Sequence, residues 1–329
     1  MIDNTGVNIS AKKPKLLVVV GSTASGKTNL SIRLAQRFGG EVVNSDSRVF
    51  YRGFDIGTAK PSSKELSAAR HHLIDMLDPE DHLGLSDYLG MARRAICEIR
   101  SRGVLPILVG GAGQYVIGLI EGWNVPRVPP NTKLRFDLEK LADAQGPEVV
   151  SARLKAVDPE AAARIDPRNV RRVIRAIEIA ESGLKTGPRR AADPPFDTLI
   201  LGLKMSREKL YARIDARIDQ MLMDGWVHEV QAMVERGVSL RAPAMTGIGY
   251  RELAGYLADE RTYADAVHAI RRATRNLARH QDNWFSAHDE RINWLDASDS
   301  ETAVTAAEKL ILPWSSDLYS NVDSGKTQP

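Results

Sequence analysis

The sequence predicts an α/β fold, a P-loop three-layer core with a mainly parallel sheet plus a helical insertion domain, on three observations. Short apolar runs recur, among them KLLVVV (15–20), VLPILV (104–109) and TLILGL (198–203). Each gives way to a glycine loop or a helical pattern, and strands so uniformly apolar are buried on both faces between helix layers. The third observation is GSTASGKT, Gly21–Thr28, which fits the phosphate-loop pattern between a strand and a helix.

The elements follow in chain order. KLLVVV is the first strand, and a helix is expected from about Thr28 after the glycine loop. EVVN (41–44) is a second strand, followed by DSRVFYRGFDIGTAKP, a loop rich in glycine and turn residues. VLPILV leads into GGAGQY. Pro126, Pro129 and Pro130 break the pattern, and the chain then reads helical to Gly183 without a convincing strand. Asp166 as N-cap and Pro167 at the first position predict one helix start there. A second break, TGPRRAADPP (186–195), returns the chain to TLILGL. Residues 207–288 are again helical, with Val227, Val230 and Val234 on one face, and RINWLD (291–296) is a weaker last strand. The expected organisation is a core of 14–122 and 197–313, a helical insertion of 123–196, and a flexible tail of 314–329.

Composition excludes several classes. The chain is 43% apolar and 26% charged, an ordinary globular balance. A single cysteine, Cys97, allows neither an internal disulfide nor a cysteine zinc site, so a reducing cytoplasm is expected. No run approaches a membrane span, and the polar start lacks the apolar core of a signal peptide. No membrane partner and a monomeric state are expected. The adjacent His71 and His72 point in different directions with no third ligand at helpful spacing, so hydrogen bonding rather than metal binding is expected of them.

In the glycine loop, Gly21, Ser22, Thr23, Ala24, Ser25 and Gly26 supply a tight path whose N–H groups and following helix N-terminus make an anion nest. Lys27 adds a point charge, and the Thr28 hydroxyl is the expected Mg²⁺ ligand. The phosphates need not belong to ATP. P-loop ATPases usually place an Asp at the end of a further strand, but VLPILV runs into Gly110-Gly111 and TLILGL into Lys204. The well-placed carboxylate is Asp46, just past the second strand, where loops of an open α/β sheet build the site. It could bind metal, accept a proton from a nucleophile, or simply form the turn.

A set of segments in fixed order carries a family resemblance: GSTASGKT, SDSRVFYRGFDIGTAKP, HHLIDMLDP, GGAGQY, DPEAAARIDPRNVRRVIRAIE, RIDARIDQMLMDG, IGYRE and ATRNLARHQDNWF. Together, over about residues 14–296, they resemble the tRNA dimethylallyltransferases. The resemblance implies that the loop grips the diphosphate of dimethylallyl diphosphate with Mg²⁺. It implies that Asp46 is the general base for N6 of adenosine 37, next to the anticodon. The amine attacks the allylic carbon and pyrophosphate leaves, so Lys27, Mg²⁺ and an arginine would stabilise the departing charge. Arg213 and Arg217, spaced i, i+4 on one helix face, are the candidate arginines; a face salt-bridged to Asp215 and Asp219 is the alternative.

The resemblance also puts Asp46, Ser47, Arg48, Val49, Ala112 and Gln114 on the acceptor side, and Arg135, Arg171, Arg172, Val173, Ile174 and Arg175 at tRNA-contact positions. Charge placement agrees with an RNA partner. Arg168, Arg171, Arg172 and Arg175 gather opposite the apolar Val170, Val173, Ile174 and Ile177, while Arg271, Arg272, Arg275 and Arg279 share overlapping faces of a second helix. The family clamps the anticodon stem-loop between core and insertion and flips the target base out, a common mode for unstacked loop bases. Two positions depart from the family pattern, with Val49 for a Gln and Ala112 for a Thr; backbone groups or neighbours such as Arg48 and Gln114 are expected to compensate. A small-molecule kinase, an enzyme prenylating free adenine nucleotides and a non-catalytic RNA-binding protein are the rival readings. An intact Lys27, Thr28 and Asp46 speak against the last, and the arginine faces against the other two.

Overall fold

The computed structural model describes residues 13–187 and 190–319. The polar N-terminal stretch, two residues of the second break and the tail from 320 on lie outside the described residues. The chain divides into two compact units, one formed by the segment up to Ile120 with the segment from Pro195 on, the other by Glu121–Pro194.

The larger unit alternates strand and helix. β1 (Lys15–Gly21), α1 (Lys27–Phe38) and β2 (Gly40–Asn44) are followed by a long loop, α2 (Ser63–Ala68) and the short β3 (His71–His72). Next come α3 (Leu85–Ser101), β4 (Leu105–Val109) and α4 (Gly113–Ile120). The smaller unit holds α5 (Thr132–Gln145), α6 (Pro147–Val157), α7 (Pro159–Arg164) and α8 (Val170–Glu181). The larger unit resumes with β5 (Asp197–Lys204), α9 (Arg207–Met223), α10 (Trp226–Glu235), α11 (Tyr250–Leu257), α12 (Tyr263–Trp284), β6 (Ile292–Asp296) and α13 (Ser300–Tyr319).

The six strands make one sheet in the order β3-β2-β4-β1-β5-β6, all pairings parallel. β1 lies inside, with Val18 facing Leu108 on one side and Ile200 on the other. Leu16 to Val20 are fully buried, which explains their uninterrupted apolar run. Leu17 and Val19 share a core with Leu30 and Leu34 of α1 and Val304 and Ile311 of α13. Alternate residues point the other way, where α3 packs on β2 and β4. This sheet places the carboxyl ends of β1, β2 and β4 side by side, the usual setting for a site in an open α/β sheet.

In the smaller unit, α5, α6 and α8 surround Leu138, Val150, Leu154, Val173 and Ile177. Side chains of Asn131, Asp158 and Asn169 cap α5, α7 and α8 by accepting from backbone N–H groups.

Three expectations need correction. The helix predicted from Pro167 begins at Val170, capped by Asn169. Asp166 instead opens a turn: its carbonyl accepts from the Asn169 N–H at 2.9 Å and its carboxylate from the Arg168 N–H at 3.0 Å. Proline at the second turn position favours that geometry. The inward face of α10 is Trp226, Val230 and Met233, while Val234 is exposed. The chain does not fray at Trp314: α13 continues to Tyr319, and the Trp314 indole donates to Asp197 and lies under the Lys15 ammonium.

Candidate active site

The phosphate loop leaves β1 at Gly21 and enters α1 at Lys27. Gly26 has φ 97°, a left-handed conformation open to glycine, and it turns the chain so that α1 starts beneath the loop. The Lys27 ammonium bridges the carbonyls of Gly21 and Ser22 at 3.0 and 2.8 Å, closing the loop on itself. Burial pushes the Lys27 ammonium down to about 8; the Asp46 carboxylate opposes this shift and the Arg217 guanidinium adds to it.

A cavity of about 550 Å³ opens in front of the loop. Thr23, Ala24, Gly26, Lys27 and Thr28 line one side, and Asp46 and Val49 another. Arg213 and Arg217 of α9 also reach it. Asp46 is held by its neighbour Asn44, whose carboxamide accepts from the Asp46 N–H and donates to the Asp46 and Leu73 carbonyls, each at 3.0 Å. One carboxylate oxygen of Asp46, Oδ1, accepts from the Arg48 N–H at 2.9 Å. Its other oxygen takes no hydrogen bond from any described residue. Beneath this turn, Tyr88 stacks on Tyr115 with ring centroids 4.1 Å apart, and Phe50 lies within 6.2 Å of both. Burial raises both phenols, that of Tyr115 to about 12, so they stay neutral and serve as packing.

The two candidate arginines differ. Arg217 is half-buried, and desolvation lowers its pKa against the raising influence of Asp46 and Glu65. Arg213 is exposed and donates to the Ser298 carbonyl at 3.1 Å. Neither pairs with Asp215 or Asp219. Those carboxylates take Arg275 and Arg271 of α12 instead, and the Arg275 guanidinium also lies 5.2 Å over the Tyr211 ring. The basic face of α12 is therefore partly neutralised within the protein.

Of the residues expected to face the acceptor, Ser47 and Ala112 are half-buried, Gln114 is exposed and Val49 is buried in the cavity wall. The Arg48 guanidinium donates through one nitrogen, Nη1, to the Pro243 carbonyl and the Thr246 hydroxyl at 3.2 and 2.9 Å. In the smaller unit, Arg171 and Arg172 are exposed. Val173 and Ile174 are not available to RNA through their side chains, being 0% and 2% exposed in that unit's core. Arg135 and Arg175 both bind the buried Glu178 carboxylate.

Residues not placed in the site from sequence complete the cavity. Lys60 of DIGTAKP lines it, its ammonium held by Asp55, Asp75 and the Tyr51 carbonyl. His71 lines it too, with Nδ1 on the Ala69 carbonyl at 2.7 Å and a buried Nε2 that has no partner among the described residues. His72 binds Glu41 at 2.6 Å, the hydrogen-bonding role expected for that pair. Gln281 of α12 reaches the phosphate loop from the far end of the chain. Among the described residues no cluster of three or more His, Cys, Asp or Glu could hold a metal, and no helix is long and apolar enough to cross a membrane.

Comparison with known proteins agrees with this geometry. The IPP transferase family model matches residues 49–288, and the isopentenyl transferase model matches 14–78. A tRNA dimethylallyltransferase of Thermomicrobium roseum is 46% identical over 292 residues, 87% of this chain and 88% of that protein. One from Herpetosiphon aurantiacus is 39% identical, covering 95% of this chain and all of its own length. The crystal structure of the full-length tRNA isopentenylpyrophosphate transferase from Bacillus halodurans superimposes with TM-score 0.70 at 35% identity, covering 95% of this chain and all of that one. A eukaryotic dimethylallyltransferase captured acting on tRNA gives TM-score 0.77 at 29% identity, over 94% of this chain and 80% of its own. With a phosphate loop and an acidic turn sharing one cavity, and relatives matched over nearly their whole length, the chain belongs to the IPP transferase family, the tRNA dimethylallyltransferases.

Proposed function

We propose that this enzyme transfers a dimethylallyl group from dimethylallyl diphosphate to N6 of the adenosine next to the tRNA anticodon, releasing pyrophosphate. The observation that carries the reading is the single cavity shared by the phosphate loop and Asp46. The loop N–H groups and Lys27 hold the diphosphate. The N6 lone pair attacks the allylic carbon, the carbon–oxygen bond breaks with its electrons going to the diphosphate, and the N6 proton passes to Asp46 Oδ2. Lys27 and Arg217 stabilise the charge that grows on the leaving group, in a site where burial strengthens their effect. Arg213, exposed and tied to Ser298, acts at the mouth.

Thr28 fits a Mg²⁺ that arrives with its diphosphate, because that ion needs only one or two protein ligands beside phosphate and water. When bound, it would add Lewis-acid stabilisation of the leaving oxygens. The exposed Arg171 and Arg172 of the helical unit supply tRNA phosphate contacts. Arg135 and Arg175 contribute only as far as phosphate competes with Glu178. The protein acts as a cytoplasmic monomer.

The test is transfer to an anticodon stem-loop, read by mass spectrometry of its nucleosides. Asp46→Asn should lower kcat about 10²–10⁴-fold, the usual contribution of a positioned base, with pyrophosphate affinity unchanged. Equal losses in turnover and affinity would show instead that Asp46 acts through the metal. Absence of the prenylated adenosine with the native protein would overturn the reading.

A further inference from the structure

Next to Asp282, whose carboxylate accepts from the Ser22 hydroxyl at 3.0 Å, Gln281 also reaches the phosphate loop and lies buried near the end of α12. Its Oε1 accepts from the Thr23 N–H at 2.7 Å, inside the phosphate loop. Its Nε2 donates to the Gly111 carbonyl at 3.1 Å, in the loop after β4. A Cβ on Gly111 would stand 2.2 Å from that Nε2, so the loop follows its present path only against this carboxamide. One turn on, Trp284 packs as closely on Gly113. The first loop is the diphosphate side of the site; the second carries Ala112 and Gln114 on the acceptor side. A carboxamide is suited to join them, because it presents a neutral acceptor and a neutral donor side by side from one planar group.

We infer that Gln281 is a positioning residue that couples the two loops, so that filling the phosphate loop sets the acceptor loop for the nucleotide. The identities of the two ligands rest on the prenyl-transfer reading; the coupling itself does not require turnover. Coupling between sites is reciprocal in binding free energy and commonly amounts to roughly 5- to 150-fold.

The experiment is a binding cycle by calorimetry, with pyrophosphate–Mg²⁺ and an anticodon stem-loop, on the native protein and on Gln281→Met. Methionine keeps the length and bulk while removing both hydrogen bonds. The native protein should bind the stem-loop at least about fivefold tighter when pyrophosphate is present. Gln281→Met should abolish that factor and weaken each ligand alone by roughly tenfold, the range for a lost buried hydrogen bond. If the native protein shows no coupling, or the variant keeps it, the inference fails. Should Gln281→Met not fold, Gly111→Ala, which displaces the carboxamide from the opposite side, decides by the same measure. A native protein that binds both ligands but transfers no prenyl group would overturn the function and leave the coupling standing.

Discussion

At the scale of single residues, Lys27 ties affinity to pH. Its pKa of about 8 in the free protein means that the ammonium is present at pH 7 and lost as pH rises through 8. Pyrophosphate affinity should therefore weaken above pH 8, by up to about tenfold per pH unit. Lys27→Arg should remove that dependence, since a guanidinium keeps its charge; titration calorimetry from pH 7 to 9.5 checks both. The two arginines of α9 should separate as well. Arg217→Ala should cost about 10²–10³ in kcat, as for other preorganised groups facing developing charge. Arg213→Ala should cost under about tenfold, its side chain being exposed and hydrogen-bonded to Ser298. Single-turnover rates on the stem-loop give the comparison. That Lys27, Thr28 and Asp46 line one cavity was legible, because the phosphate-loop pattern and the end of the second strand are local features. Gln281 was not, since it meets Thr23 across a sequence separation of 258 and nothing near it in the chain marks the contact. Lys60 was quoted within a motif without a role, and His71 was read only as a hydrogen-bonding residue, because only the tertiary fold turns them into the cavity.

At the scale of elements, α10 braces the DIGTAKP loop. Glu229 accepts from the N–H groups of Asp55, Ile56 and Gly57 and from the Tyr250 hydroxyl, at 2.7–3.1 Å. Next to it the Trp226 indole fills the space that side chains at Gly57 and Gly249 would need. The spaced motifs DIGTAKP and IGYRE are thus halves of one packing unit. Glu229→Ala should destabilise the protein by about 2–4 kcal/mol, as several N–H groups lose a charged acceptor. Hydrogen exchange at residues 55–57 should rise more than elsewhere, and equal protection there would show that the brace is dispensable. β1, β4 and β5 were readable as solid apolar runs and β2 and β6 more faintly, whereas β3, made of two histidines, offered no such signal. The start of α8 was misplaced because Asp-Pro supports a turn as readily as a cap. The tail misled because a polar sequence ending can still anchor through one indole, as Trp314 does on Asp197.

At the scale of the whole molecule, charge placement decides how tRNA and acid act on the protein. Burial would raise the Glu178 carboxyl, but Arg135, Arg175 and the Asn131 N–H hold it below its ordinary value. A depressed carboxyl contributes stability above its unfolded pKa and loses it as pH falls through the folded one. The helical unit should therefore melt earlier as pH drops below about 4, the unperturbed carboxyl range, and Glu178→Gln should lessen that dependence in thermal melts read by circular dichroism. The arginines foreseen as RNA contacts are likewise divided by their partners. Arg168, Arg175, Arg271 and Arg275 each already hold a carboxylate of the same chain. Such arginines bring little net charge to a phosphate and so release few of the cations condensed on the RNA. Only Arg171, Arg172, Arg272 and Arg279, which have no acidic partner among the described residues, displace condensed cations in full. The slope of log affinity for the stem-loop against log salt should then be set by this smaller group, at about 0.7–0.9 per phosphate neutralised. Asp215→Asn with Asp219→Asn should steepen it, because the internal acids act as built-in counterions that keep this basic helix from holding any RNA indiscriminately.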